Sequence, residues 1–425
     1  MKPVQVRAKA AVAAAAAVAL GIVASLFVAA PASADNIRDK EYWLSGYGVQ
    51  RAWAVTKGAG TTIAVIDTGV DGSHPDLTGT VIGGTDVSGV GSANGQTPIG
   101  SDSQHGTMVA SLLAGHGHGV GDGILGVAPE AKILAVSVGF GVGTVGSDDQ
   151  IAEAVHWSVD HGADIINMSL TRNTLDWPTS WDDAFLYAME KGVIVVAAAG
   201  NRGSGTTEVG APATMPGVVV VAGVDQNGIA SFDASSQGIT LSVAAPSEGL
   251  VGAAPGGGYY SWAGTSGATP LVAGVLALIK ASHPTLSAGN IINRLTATAR
   301  SKGNPIVYGS GLFDASAAVS AAVPSVATNP ADDLKNWIRL NRRAVASAVP
   351  KPTTTIRPSP TAAPTVMAAP VSPFGRVLPA VSDLRNIGIP VLVYAGFATL
   401  LILVLRSIFR DLTRYRESKG SRRRQ

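Results

Sequence analysis

Short runs of β-branched and small apolar residues recur along the chain at Thr61–Ile66, Ile133–Val138, Ile165–Leu170, Val193–Ala198, Val218–Ala222 and Ile239–Ala244. Thr61–Ile66 is a β-branched run that predicts a strand buried on both faces, and the others read as further strands, Ile165–Leu170 with a polar exit. Between them lie stretches with helical spacing. One opens at His105 and runs to Ala114; others cover Asp148–His161, Pro178–Lys191, Leu271–Ala281 and Ser287–Thr298. Strands alternating with helices predict an α/β fold, with a mostly parallel central sheet covered by helices on both faces. Residues 79–103 are rich in Gly, Ser and Asp and read as a surface loop. The lead from Asp35 to Lys57 is polar and aromatic. It is too short for a separate domain and is expected to pack along the body.

The two ends follow other patterns. Lys2, Arg7 and Lys9 precede an apolar run from Ala10 to Ala30, and Ala32-Ser33-Ala34 offers a small-residue cleavage site. Residues 1–34 therefore read as a secretory signal peptide, although the run is long enough to remain as an anchor. After about Ala322 the composition shifts. A short amphipathic helix is expected over Asp332–Ala346, with Leu334, Trp337 and Ile338 on one face. Residues 349–380 are rich in Pro, Thr and Ala, as in an extended linker. Ile387–Leu405 carries no charge and is long enough to span a hydrocarbon core. The basic residues after it predict that the tail faces the cytoplasm and the body lies outside. The expected order is signal peptide 1–34, N-terminal extension 35–57, body 58–322, Pro-rich linker 323–386, transmembrane helix 387–405 and basic tail 406–425.

The formal charge of +2 conceals this asymmetry. Three basic residues stand at the start, and eight Lys/Arg against two acids follow Leu405, so the rest carries −7. A mildly acidic body argues against nucleic acid as a partner. The absence of cysteine excludes disulfides and thiolate metal sites. His116 and His118 lie one residue apart without an evident third ligand, so no metal and no cofactor is expected. Asp76, in a turn-rich loop, could cap a turn or bind a cation, and the turn is the expected role.

The candidate chemistry lies at element ends. Asp67 closes the first strand, at the sheet edge where open α/β folds place their sites. His105 opens one helix. Ser266 sits in Gly264-Thr265-Ser266-Gly267-Ala268-Thr269-Pro270 at the start of another, where free N–H groups favour an oxyanion. A serine needs a base to take its proton, and a histidine base needs a carboxylate to fix its tautomer. Asn201, following a strand and Gly200, offers a side-chain amide as an oxyanion donor beside the Ser266 backbone N–H.

In these stretches the chain resembles the subtilisin-like serine proteases. The matching segments are Val65-Ile66-Asp67-Thr68-Gly69-Val70, His105-Gly106-Thr107, Ala198-Ala199-Gly200-Asn201 and the Ser266 segment, in the order Asp, His, Ser known for subtilisin. The resemblance covers about residues 40–322. It implies a subtilisin-like three-layer fold, a catalytic triad of Asp67, His105 and Ser266, and peptide-bond hydrolysis through an acyl-enzyme. It also implies that Ser169-Leu170-Thr171 and Ala198-Ala199-Gly200 flank the primary specificity pocket and pair with the backbone of protein or peptide substrates. Many relatives carry glycine at the position of Thr171, so Thr171 and Arg172 are expected to narrow or polarise that pocket. Met108 stands where many have a second histidine and reads as structural. Signal, lead, Pro-rich linker, C-terminal helix and basic tail together resemble the mycosins, the membrane-anchored proteases of type VII secretion. That implies a single-pass cell-membrane protein with an extracytoplasmic catalytic domain, associated with a secretion complex. Two other readings share the sequence: a structural part of the complex whose proteolysis is dispensable, and an esterase using the same triad.

Overall fold

The computed structural model describes residues 35–141 and 145–342. The expected signal peptide, most of the linker, the membrane segment 387–405 and the basic tail lie outside them. Seven strands form one sheet: β1 Thr62–Asp67, β2 Val81–Asp86, β3 Lys132–Ser137, β4 Ile165–Met168, β5 Ile194–Ala198, β6 Val219–Val224 and β7 Val243–Pro246. Every pairing is parallel, in the order β2-β3-β1-β4-β5-β6-β7. The chain leaves β1 towards one side of the sheet and leaves β4 towards the other. The strand order therefore reverses between β1 and β4, and a crevice opens at their carboxyl ends.

On one face lie the helices His105–Ala114 and Thr265–Ser282, which pack on each other and on the strands. On the other lie Ser147–Asp160 and Thr179–Glu190, again mutually packed. The Thr265–Ser282 helix is buried almost throughout, from Thr265 to Ile279 with Ser266 excepted. It is the one helix among the described residues long and apolar enough to cross a membrane, and here it forms the core.

The secondary structure departs from the sequence reading in three places. The segment read as loop over 79–103 contains β2, an edge strand hidden by Gly83, Gly84 and Asp86, with a register shift between Val81 and Gly83. An antiparallel hairpin, β8 Leu250–Ala253 and β9 Tyr259–Trp262, lies apart from the main sheet. Its β8 strand packs on the His105 helix, with Gly252 against the buried Met108. The predicted strand over Ile239–Ala244 begins later, at Val243, and Ile239 is exposed.

The aromatic lead is core. Its short helices bury Trp43, Leu44, Val49 and Ala52. Tyr42 donates to the Glu248 carbonyl (2.8 Å), and Trp53 Nε1 donates to the Val127 carbonyl (2.8 Å). Arg38 Nε donates to Gly123 O (2.6 Å), and Glu41 Oε1 accepts from Leu125 N–H (2.7 Å). Asp76, expected as a turn cap, is instead fully buried beneath these contacts. It accepts from Ile124 N–H (2.9 Å), the Tyr259 hydroxyl (2.8 Å) and His118 Nδ1 (2.6 Å). His116 Nε2 donates to the Thr78 carbonyl. At the other end the body continues past residue 322. The helix Pro330–Asn341 lays Trp337 on Trp177, with ring centroids 4.2 Å apart, and Arg342 pairs with Asp182 (2.8 Å).

Burial, against the weaker pull of Leu125 N–H and Arg38, pushes the Glu41 carboxyl from 4.5 up to about 8. The folded state then holds this proton to higher pH than the unfolded chain does, so stability falls as pH rises from about 4.5 to 8. Glu41→Gln retains an acceptor for Leu125 N–H without the charge. Thermal unfolding of both proteins from pH 5 to 9 should show the variant gaining on the wild type by roughly 2–4 kcal/mol. An unchanged difference across that range would count against the buried-acid account.

Candidate active site

Asp67, the last residue of β1, is 2% exposed. Its Oδ1 accepts from Thr68 N–H (2.8 Å) and from His105 Nδ1 (2.8 Å), and Oδ2 lies 3.0 Å from the same ring nitrogen. A carboxylate only accepts here, so Nδ1 carries the proton and Nε2 is left as the basic atom. Backbone packing sets the pair. A Cβ on Gly106 would fall 2.2 Å from the Gly69 carbonyl oxygen, so only glycine lets the helix start this close to the end of β1. Thr68 Oγ1 accepts from Gly106 N–H (3.1 Å) and so ties the strand exit to the helix.

Burial by itself lowers the pKa of the His105 imidazole. The charge and hydrogen bond of Asp67, with a smaller attraction from Asp102, outweigh it, and His105 titrates above its ordinary 6.5. The ring edge meets Trp262 of β9 at 5.6 Å in a T-shaped contact. The same indole packs against Gly267, one residue after Ser266, so it borders both His105 and the start of the Ser266 helix.

Ser266 is the second residue of its helix. Its Oγ donates to the Ser169 carbonyl at 3.1 Å rather than to His105. The structure thus brings Asp67 and His105 into direct contact and holds the serine in a rotamer turned to the neighbouring strand exit. Ser169 is doubly joined to it. Pro270 lacks the N–H that would close the first helical turn on the Ser266 carbonyl. Ser169 Oγ donates to that carbonyl instead (2.8 Å) and accepts from Asn167 Nδ2 (3.0 Å).

Asn201 Oδ1 accepts from Thr265 N–H (2.9 Å) and Thr265 Oγ1 (3.0 Å). A backbone N–H can only donate, so it must face the oxygen, and Nδ2 turns the other way. Thr265 Oγ1 also accepts from Gly200 N–H (3.1 Å), which locks the strand exit holding Asn201 to the helix holding Ser266. The sequence marks neither Asn167 nor Trp262 as part of the site, and gives Thr68, Thr265 and Pro270 only as members of the matching segments. The proline inside the Ser266 motif was the one local signal, since it breaks the helical bond at that serine.

The two candidate substrate segments continue from neighbouring strands. Ser169-Leu170-Thr171 follows β4, and Ala198-Ala199-Gly200 ends and follows β5; the ladder between them stops with Met168 opposite Ala197. Arg172, expected near the pocket, pairs with Asp148 and lies 5.5 Å over the Trp181 ring.

Comparison with known proteins agrees with this architecture. Residues 58–311 match the subtilase family of peptidases. Subtilisin E of Bacillus subtilis is 41% identical over 264 residues; the match spans 61% of this chain and 66% of its length. The crystal structure of MycP1 with its N-terminal propeptide removed superposes with a TM-score of 0.59 at 31% identity, covering 67% of this chain and 98% of that one. The MycP3 protease from the type VII (ESX-3) secretion system superposes with a TM-score of 0.57 at 30% identity, covering 66% and 88%. With a parallel sheet, an Asp67–His105 pair at the switch in strand order and a serine opening the buried helix, this chain belongs to the subtilase family.

Proposed function

We propose that the protein is an extracytoplasmic serine endopeptidase, held at the cell membrane by residues 387–405 and working beside a type VII secretion complex in the manner of the mycosins. The observation that carries the peptidase reading is the Asp67–His105 contact beside a helix that opens with Ser266. The likeness to MycP1 and MycP3 supports the setting, as do the apolar segment and basic tail in the sequence.

The chemistry follows from the protonation states. His105 Nδ1–H is held by Asp67, which leaves Nε2 to take the Ser266 proton once Oγ rotates off the Ser169 carbonyl. Oγ attacks the scissile carbonyl carbon. The resulting oxyanion accepts from the Ser266 backbone N–H and Asn201 Nδ2, both preset before charge develops. Collapse breaks the C–N bond, and His105 returns the proton to the leaving amine. Water then repeats the sequence on the acyl-enzyme. The substrate backbone pairs with Ser169–Thr171 and Ala198–Gly200, and the side chain that precedes the scissile bond enters the pocket between them.

The base must be neutral, so activity rises with pH through the raised His105 pKa. The kcat/KM profile should have its acid limb centred above 6.5, and Asp102→Asn should move it to lower pH. An unmoved limb would show that Asp102 has no hold on the imidazole. A fluorophosphonate probe should label the full-length wild type and leave Ser266→Ala unlabelled; equal labelling would place the activated nucleophile elsewhere. For Asn201→Leu, kcat should fall about 10²–10³-fold with little change in KM. A loss confined to KM would assign Asn201 to substrate binding.

A further inference from the structure

One side chain crosses the gap between the two substrate segments. The backbone N–H of Thr206 donates to the Asn201 carbonyl (3.1 Å), and its carbonyl accepts from Ser236 Oγ. The side chain is therefore aimed by a fixed backbone. Its methyl lies against Gly200, where a Cβ would fall 2.6 Å from Thr206 Cγ2. Its hydroxyl donates to Asn173 Oδ1, on the continuation of the opposite segment. Thr206 thus spans from one wall to the other.

The returning chain closes the gap further. Arg172 N–H donates to the Ala211 carbonyl (2.7 Å), and Ala211 N–H donates to the Thr174 carbonyl (2.9 Å). This draws Gly210 beneath Thr171, whose Oγ1 is 2.9 Å from where a Cβ on Gly210 would stand. A polar cavity of about 110 Å³ lies between residues 173–175 and 205–210, with Asn173 and Thr206 in its wall.

Resting on the peptidase reading above, we infer that Thr206, tied to Asn173, closes the far end of the pocket for the side chain that precedes the scissile bond. The enzyme then acts on polypeptides with a small residue such as Ala or Ser at that position. A larger side chain must break the tie and displace Thr206 from Gly200. That removes a hydrogen bond and a packed contact together, which makes discrimination of at least roughly tenfold the expected scale. Opening the tie joins the cavity to the pocket and admits bulk.

The test uses the full-length chain and peptides that differ only in the residue before the cut: Ala, Val, Leu or Phe. Rates are normalised to sites titrated by the fluorophosphonate probe. Wild type should favour Ala over Phe by roughly tenfold or more in kcat/KM. Thr206→Gly and Asn173→Gly should each shrink that ratio by roughly tenfold. Asn173 is exposed, so its variant reads the tie even where Thr206→Gly disturbs folding. A wild type that prefers Leu or Phe overturns the inference, as does a ratio that both variants leave within about twofold. Absence of both probe labelling and peptide cleavage in wild type would overturn the peptidase reading as well. Labelling with an unaltered ratio removes the pocket closure alone.

Discussion

A proline deprives the helix carrying Ser266 of one hydrogen bond, and the arrangement of the site depends on where that bond goes. The Ser266 carbonyl has no partner at Pro270 and takes one from Ser169 Oγ. The Ser266 hydroxyl meanwhile rests on the Ser169 carbonyl. A helix end and a strand exit are thereby joined by two bonds of opposite direction. Removing either partner would strand a polar group in a largely closed space, where an unmade bond costs about 1–3 kcal/mol. The position of the serine relative to the β4 edge is therefore set by satisfaction of polar groups as much as by packing.

The same logic extends along the carboxyl edge of the sheet. Thr68 ties the end of β1 to the His105 helix, and Thr265 ties the exit of β5 to the Ser266 helix. In each case a threonine hydroxyl takes up a backbone N–H across the junction: Gly106 N–H in the first turn of a helix, where donors outnumber acceptors, and Gly200 N–H at the exit of a strand. The site is held by short-range ties between elements that the sheet has already brought together.

The sequence carries the sheet plainly, because β1 and β3 to β6 are buried on both faces and are mostly apolar runs, with Asn167 the polar exception inside β4. It carries Asp67, His105 and Ser266 because each lies where an apolar run meets a polar one. β2 was illegible: Gly83 and Gly84 read as breakers, yet a Cβ on Gly84 would fall 2.2 Å from the Ala135 carbonyl, so close strand approach is what demands the glycine. The Asp76 cluster was illegible for another reason. Its partners Ile124, His118 and Tyr259 are joined only by tertiary folding, and no local pattern marks a carboxylate as buried. The Thr206–Asn173 contact is equally nonlocal, set by the return of the chain beneath Thr171.

With no cysteine to staple it, the body closes its N-terminal lead against residues 300–315. Tyr47 in the lead accepts from Ala315 N–H (2.9 Å) and rests on Phe313, while Arg300 donates to the Gly46 carbonyl. Residues more than 250 positions apart thus form one seam. Opening the lead has to break its contacts with residues 300–315, so local opening is resisted in a segment where a folded chain ordinarily loosens first. For a protein surrounded by copies of its own active site, autolysis draws on those partly opened forms. The seam withdraws the lead from the segments at which self-digestion would otherwise begin.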